Sequence, residues 1–256
     1  AQNQAMTYNV ELAYRIGLLI GEEGLWNGYN GWYAPSMNTH RSPFSGRNFE
    51  YYSQDGVQGG LIVAAVLAGS NQGGVYPYIK HFALNDQETN RGGVSTWADE
   101  QTIRENYLKV FEYAVVAGGS TGIMTGFNRI GAVNNTEHYP LITQILRGEW
   151  GFDGHIVTDY QVGSVGDKNN NLEIYLRSGT NIPLGDKNQN GGGDWDATLR
   201  GGKGGVTVKN ANYNAEDPTK GPEYITSDST GVWKTLADIQ YYYLRIRAQE
   251  LLYTTA

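Results

Sequence analysis

The chain has 256 residues, with 19 Lys and Arg against 26 Asp and Glu for a formal charge of -7, and no basic run dense enough to track a phosphate backbone, which argues against a nucleic-acid partner. It has no cysteine, so neither a disulfide nor a thiolate metal site can form, and no apolar run approaches the roughly 20 residues of a membrane span. Its 35 glycines, 19 tyrosines and six tryptophans indicate a loop-rich protein whose aromatic rings either fill a core or stack on the apolar faces of sugars.

In chain order, Val10 to Leu25 carries Leu12, Ile16, Leu19 and Ile20 at helical spacing with Gly24 as a stop, and predicts a helix. Trp32 to Met37 reads as a short strand leading into a loop over Arg41 to Asp55, Gln58 to Leu67 as a helix rich in small residues, and Tyr76 to Ala83 as the next strand. Ala98 to Ala117 predicts a long amphipathic helix with Ile103, Tyr107, Val110, Phe111 and Ala114 on one face, followed by a strand over Gly122 to Phe127. Leu141 to Trp150 reads as helix, His155 to Asp159 as strand, Leu172 to Ser178 as helix and Asn181 to Leu184 as strand. Period 3.6 alternating with short apolar runs is the pattern of parallel βα units, with five strands countable.

Gly185 to Gly231 is crowded with Gly, Asn, Asp and Lys and reads as a surface excursion within a single domain spanning 1–256, before a closing helix over Val232 to Leu252. Asp186, Asn188, Asn190 and Gly191 imitate the start of a calcium loop, but Ala197 stands where a bidentate glutamate is required. Asn134-Asn135-Thr136 matches a glycosylation pattern and reads instead as an exposed polar turn. The start, Ala1-Gln2-Asn3-Gln4, lacks a basic and apolar signal region, which leaves the compartment open between secreted and cytoplasmic.

Three stretches deliver charged or hydrogen-bonding side chains at the ends of strand-like runs: Arg41-Ser42-Pro43 to Glu50, Lys80-His81-Phe82 through Gln87 to Arg91, and Val157-Thr158-Asp159-Tyr160. An α/β barrel builds its active-site rim in this way. An aspartate ending a buried strand, ringed by arginine, lysine and histidine, is what displacement at a sugar's anomeric carbon needs.

These pieces, together with Asn85, Met124, Asn128-Arg129 and Leu146-Arg147-Gly148-Glu149-Trp150-Gly151-Phe152-Asp153-Gly154, fall in one order and spacing. From Tyr8 to Leu184 the chain resembles the catalytic (β/α) barrel domain of glycoside hydrolase family 3, the family of many β-glucosidases. The resemblance implies that Asp159 is the nucleophile, that Arg47, Lys80 and His81 bind the hydroxyls of the first-subsite sugar, that Arg91 supports them, and that Met124 and Tyr160 line the site. It implies no metal or organic cofactor. It also implies a TIM-type barrel lacking its first strands, and a general acid, usually a glutamate, supplied by a second α/β domain or chain. Tyr160 stands where tryptophan is common and Phe127 where a tyrosine is common.

Each residue has a rival reading. Arg47 could serve a structural ion pair with Glu50 or Asp55, Lys80-His81 a solvated pair, and Lys80 a Schiff base of the kind barrel aldolases form. Glu88 reads as an orienter of Arg91, and Glu149 as a helix end remote from the strand tips. The leading expectation is a retaining hydrolase of β-glucosides; the alternatives are a non-catalytic sugar-binding fragment and a preference for xylosides.

Overall fold

The computed structural model describes residues 1–160, 172–182, 184, 206–209, 224–227, 246–250 and 252. Two helices open the chain: α1, Gln2–Met6, which the sequence pattern does not announce, and α2, Val10–Trp26, capped by Asn9, whose side chain accepts from the Leu12 N–H at 2.9 Å. After the short strand β1, Gly31–Trp32, helix α3, Gly56–Gln72, starts at Asp55, whose carboxylate accepts from the N–H groups of Val57 and Gln58. Then come β2, Tyr76–Phe82, and β3, Ser95–Thr96. The predicted Ala98 to Ala117 helix is found as α4, Glu100–Thr102, a wide π-type stretch Ile103–Leu108, and α5, Lys109–Val116. Strand β4, Gly122–Thr125, leads to the short strands β5, Arg129–Ile130, and β6, Val133–Asn134. A second π-type helix, Pro140–Glu149, precedes β7, His155–Val157, and helix α6, Leu172–Ser178. Within the predicted surface excursion, β8, Val206–Lys209, pairs antiparallel with β9, Tyr224–Ser227. The calcium-like loop at Asp186 to Ala197 lies outside the described residues, as does most of the closing helix, of which 246–250 are helical.

The fold is α/β. Strands β1, β2, β4 and β7 form one parallel sheet in that order, each pair joined by a helical crossover. A parallel bridge from Val157 to Ile182 marks a fifth position, so the predicted Asn181 to Leu184 strand is present as a single bridge. The predicted strand over Trp32 to Met37 is interrupted. Pro35 has no N–H to donate, and pairing with β2 resumes only at Ser36, opposite Lys80.

Strand alternation sorts the side chains. Ile79, Ile123 and Ile156 face α3, α5 and the Pro140–Glu149 helix and merge with Ile62, Val66, Phe111 and Leu146 in the main core. Tyr78, Met124 and Val157 line the opposite face as a small apolar layer of their own. Period two therefore carries Lys80, two residues beyond Tyr78, and Asp159, two beyond Val157, towards that second face at the strands' carboxyl ends.

Helix α2 packs differently from the pattern read in the sequence. Leu12 and Leu19 are exposed, and the buried positions are Ala13, Gly17 and Gly21. The reason is backbone proximity: a Cβ on Gly17 would sit 2.0 Å from the Val66 carbonyl oxygen, and one on Gly69 would sit 2.1 Å from that of Tyr14. Two helices this close admit only small residues between them. The expected face of the π-type stretch and α5 does form, with Tyr107, Val110, Phe111 and Ala114 buried and Ile103 packed on the core.

The Asn134 to Thr136 segment is also corrected. Asn135 and Thr136 are fully buried. Asn135 Nδ2 donates to the Ala83 carbonyl at 2.6 Å and to Asn128 Oδ1 at 2.9 Å, and the Thr136 hydroxyl meets that of Thr125 at 3.1 Å. The turn is folded in as a brace behind the end of β2.

Candidate active site

Asp159 stands two residues past the end of β7, nine-tenths buried. That strand is held in place from outside the sheet. The Arg147 guanidinium donates to the carbonyls of Phe152, Gly154 and Gly179 and to Asn181 Oδ1, and Asn181 Oδ1 in turn accepts from the Ile156 N–H at 2.7 Å. The Leu146 to Gly154 motif thus registers the strand that carries Asp159.

One carboxylate oxygen of Asp159, Oδ1, accepts from the Tyr160 N–H at 2.6 Å. The other, Oδ2, lies 3.3 Å from His81 Nε2 without a hydrogen bond to it, and Oδ2 has no donor among the described residues. Burial raises the Asp159 pKa above the ordinary carboxylate range, while the Tyr160 N–H and the charges of Arg47, Arg91 and Lys80 pull against it. The three cations favour the charged form, but desolvation outweighs them.

His81 is buried to 1% exposure at the end of β2. Burial, with the charges of Arg47, Lys80 and Arg91, holds its pKa well below the ordinary histidine value, so the ring is neutral. Its backbone is clamped on both sides by one side chain: Asn38 Nδ2 donates to the His81 carbonyl at 2.9 Å, and Asn38 Oδ1 accepts from the His81 N–H at 2.8 Å. The Lys80–His81 and Phe82–Ala83 peptide bonds are cis. Lys80 itself is half-buried, its N–H bound to the Pro35 carbonyl and its carbonyl to the Met37 N–H.

Arg47 Nε donates to Glu50 Oε1, so the ion pair weighed against its sugar-binding role is present. Its Nη1 is 3.8 Å from Glu88 Oε1. Glu88 also accepts from Arg91 Nη1 at 2.9 Å, and the Arg91 guanidinium lies over the Phe127 ring, 4.2 Å from its centre. Glu88 therefore orients arginines, as read from the sequence. Glu149 pairs with Arg104 on an outer helix surface at 2.7 and 2.9 Å. An open hollow of about 750 Å³ borders the cluster, lined by the Gln87–Glu88 and Asn90–Val94 stretches.

The structure thus gathers Asp159, His81, Lys80, Arg47 and Arg91 in one cluster. Met124 lies in the small apolar layer with Tyr78 and Val157. Tyr160 is half-exposed beside Asp159 and touches it through its backbone. Sequence reasoning missed Asn38 and Ser36; a polar residue at the end of an apolar run was the one signal available for each.

Residues 1–193 match the model of the Glycosyl hydrolase family 3 N terminal domain. The chain belongs to glycosyl hydrolase family 3. It is 40% identical over 156 residues to Beta-glucosidase A of Butyrivibrio fibrisolvens, covering 61% of this chain and 19% of that protein. It is also 40% identical over 171 residues to a Beta-glucosidase of Ruminococcus albus, covering 65% and 18%. Among solved structures it is similar to beta-glucosidase 3B from Thermotoga neapolitana in complex with glucose, with 36% identity and a TM-score of 0.67 over 71% of this chain and 24% of that one. The GH3 beta-glucosidase of Bifidobacterium adolescentis superposes with a TM-score of 0.69 at 31% identity, covering 73% and 27%. The family 3 chain spans about a fifth of the length of the curated relatives it matches.

Proposed function

We propose that this chain is the (β/α) barrel part of a retaining glycoside hydrolase that releases non-reducing terminal β-D-glucosyl residues. The observation that carries the reading is the asymmetric Asp159 carboxylate. Oδ1 is fixed by a backbone N–H, while Oδ2 is buried, free of any donor among the described residues, and faces a neutral imidazole within a ring of three cations. An oxygen so placed keeps its lone pair for attack.

In this reading Oδ2 forms a bond to the anomeric carbon as the bond from that carbon to the leaving oxygen breaks. The leaving oxygen takes its proton from a carboxylic acid, and water then cleaves the glycosyl ester with the same group acting as base. Arg47 and Lys80 donate to the sugar hydroxyls, as does His81 Nε2 when it carries the ring proton, and Arg91 holds Glu88 against Arg47. Tyr160 offers a half-exposed ring beside the leaving group. No step calls on a metal or organic cofactor. Glu88 and Glu149 are both committed to arginines, and the family resemblance implies an acid from a further α/β domain or partner chain; the short span relative to the β-glucosidase relatives supports this. The parallel order β1-β2-β4-β7, with a helical crossover between successive strands, supports the (β/α) barrel architecture.

The test is labelling by 2-deoxy-2-fluoro-β-D-glucosyl fluoride, which barely needs an acid. Oδ2 gains a bond to the anomeric carbon and fluoride departs with the electron pair of the broken bond. Peptide mapping by mass spectrometry should locate the sugar on Asp159. Glucose binding without any label would leave a sugar-binding protein and overturn the hydrolase reading.

A further inference from the structure

The glycosidase reading assigns no task to Glu50, although it is the carboxylate most intimately joined to the site's cations. Glu50 ends the short helical turn Asn48–Glu50 and is largely buried. Its Oε1 accepts from Arg47 Nε, and its Oε2 accepts from the Ser36 hydroxyl at 2.7 Å, so both oxygens are fixed. Ser36 bridges in parallel to Lys80, which brings strand β2 alongside the same carboxylate.

The mode of pairing is informative. Arginine–carboxylate pairs are frequently two-pronged, with two parallel N–H donors on one carboxylate. Glu50 instead uses Nε alone, and the nearest partner of Arg47 Nη1, Glu88 Oε1, is 3.8 Å away, beyond hydrogen-bond length. Among the described residues the terminal fork of Arg47 meets no acceptor at hydrogen-bond length, which leaves it for another acceptor.

Resting on the glycosidase reading of this same site, we propose that Glu50 is a positioning residue, which aims the Arg47 fork and, with Asp159, balances the charge of Lys80 so that both cations present donors to the hydroxyls of the sugar at Asp159. Burial works against the Glu50 carboxylate, but the hydrogen bonds from Arg47 and Ser36 and the charges of Arg47 and Lys80 hold it below the ordinary range, so it stays ionised. Lys80 faces Glu50, Arg47, Asp159 and His81. Burial and the Arg47 charge push its pKa down, and the Glu50 and Asp159 carboxylates resist. Removing the Glu50 charge leaves one carboxylate to keep Lys80 protonated.

The experiment compares the wild-type chain with Glu50→Gln and Ser36→Ala. D-glucose binding is measured by calorimetry from pH 6 to pH 10, and the rate of labelling by 2-deoxy-2-fluoro-β-D-glucosyl fluoride is measured against its concentration. Loss of one charge-assisted contact predicts binding at least about tenfold weaker for Glu50→Gln at neutral pH. The alkaline limb of binding should move to lower pH, and labelling should lose in half-saturating concentration more than in its maximal rate. Ser36→Ala, which keeps the charge, should weaken binding only a few-fold and leave the limb in place; it carries the test if Glu50→Gln does not fold. Should Glu50→Gln bind with wild-type affinity and an unmoved alkaline limb, or Ser36→Ala leave binding untouched while Glu50→Gln does not fold, the proposal is overturned. Wild-type protein that binds glucose but takes no label removes the nucleophile reading alone, with the Glu50 assignment still decided by binding. Wild-type protein that does neither overturns both.

Discussion

His81 Nε2 lies 3.3 Å from Asp159 Oδ2 without hydrogen-bonding it, and burial together with three neighbouring cations keeps that imidazole neutral. The pair is therefore not an ion pair, and no proton of His81 is consumed in activating the carboxylate. On the proposed glycosidase reading, Asp159 alone sets the acid side of the labelling profile. Because burial raises its pKa, the acid limb of labelling should fall above the ordinary carboxylate value of 3.8, with the rate lost as pH drops through it and no second step from His81 near neutrality. A rate–pH profile from 3.5 to 8 measures this. A limb below 3.8, or a histidine step near 6.5, contradicts it.

Asp159→Asn should abolish covalent labelling while glucose binding falls no more than a few-fold, since the amide keeps the shape and the Oδ1 contact to the Tyr160 N–H. The same change should raise the melting temperature at neutral pH. A carboxyl whose folded pKa is raised stabilises the fold below its unfolded pKa, and loses that contribution as pH climbs through the folded value. Above it the buried charge is a cost that the amide lacks. A lowered melting temperature at pH 7 would count against this account.

Asn38→Ala removes both partners of the His81 backbone. Leaving a buried N–H and carbonyl unpaired costs about 3 kcal/mol, read as a lower midpoint in urea unfolding. Sugar binding should weaken as well, because the imidazole is aimed by that clamp.

Gly17→Ala should destabilise by about 3 kcal/mol, because the added methyl meets the Val66 carbonyl oxygen at 2.0 Å, an atom that cannot swing aside. Leu19→Ala on the same helix, at an exposed position, should change stability by less than about 0.5 kcal/mol. Equal effects of the two substitutions in denaturant titrations would refute the packing described for α2 and α3.

Asp86 supplies a separate pH test. It is buried, accepts from the Thr39 N–H at 2.8 Å, and burial pushes its pKa up to about 7 against the pull of that bond and of Arg41. Its protonated form stabilises the fold fully below pH 3.8, and this contribution is lost as pH rises to about 7 and beyond. At pH 8 Asp86→Asn should therefore be more stable than the wild type, on the order of 3–4 kcal/mol, with the gap closing on acidification to pH 4. Chemical denaturation at the two pH values decides it.

Much of the scaffold was legible because its elements are long and their period unambiguous. Helix α3, strand β2 and the apolar face of α5 sit where repeating spacing puts them. The reading failed where a neighbour's backbone, not a residue's own character, chose the geometry. Leu12 and Leu19 looked like the inward face of α2, but contact with α3 needed atoms no larger than those of Ala13 and Gly17. Asn135 and Thr136 looked like a solvent-facing turn, but the carbonyl of Ala83 required a donor in the interior.

The candidate site divides in the same way. The resemblance to family 3, carried by motifs in one order along the chain, singled out Asp159, Arg47, Lys80, His81 and Arg91; residue types alone left a structural ion pair and a solvated pair open beside them. Which oxygen of Asp159 lacks a donor, that Arg47 meets Glu50 through Nε, and that Asn38 grips His81 from 43 residues away were decided by the tertiary structure alone. Directed bonds between distant segments depend on distances and angles that linear spacing does not encode, whereas the alternation that sends Lys80 and Asp159 to one face is a local property of the strand.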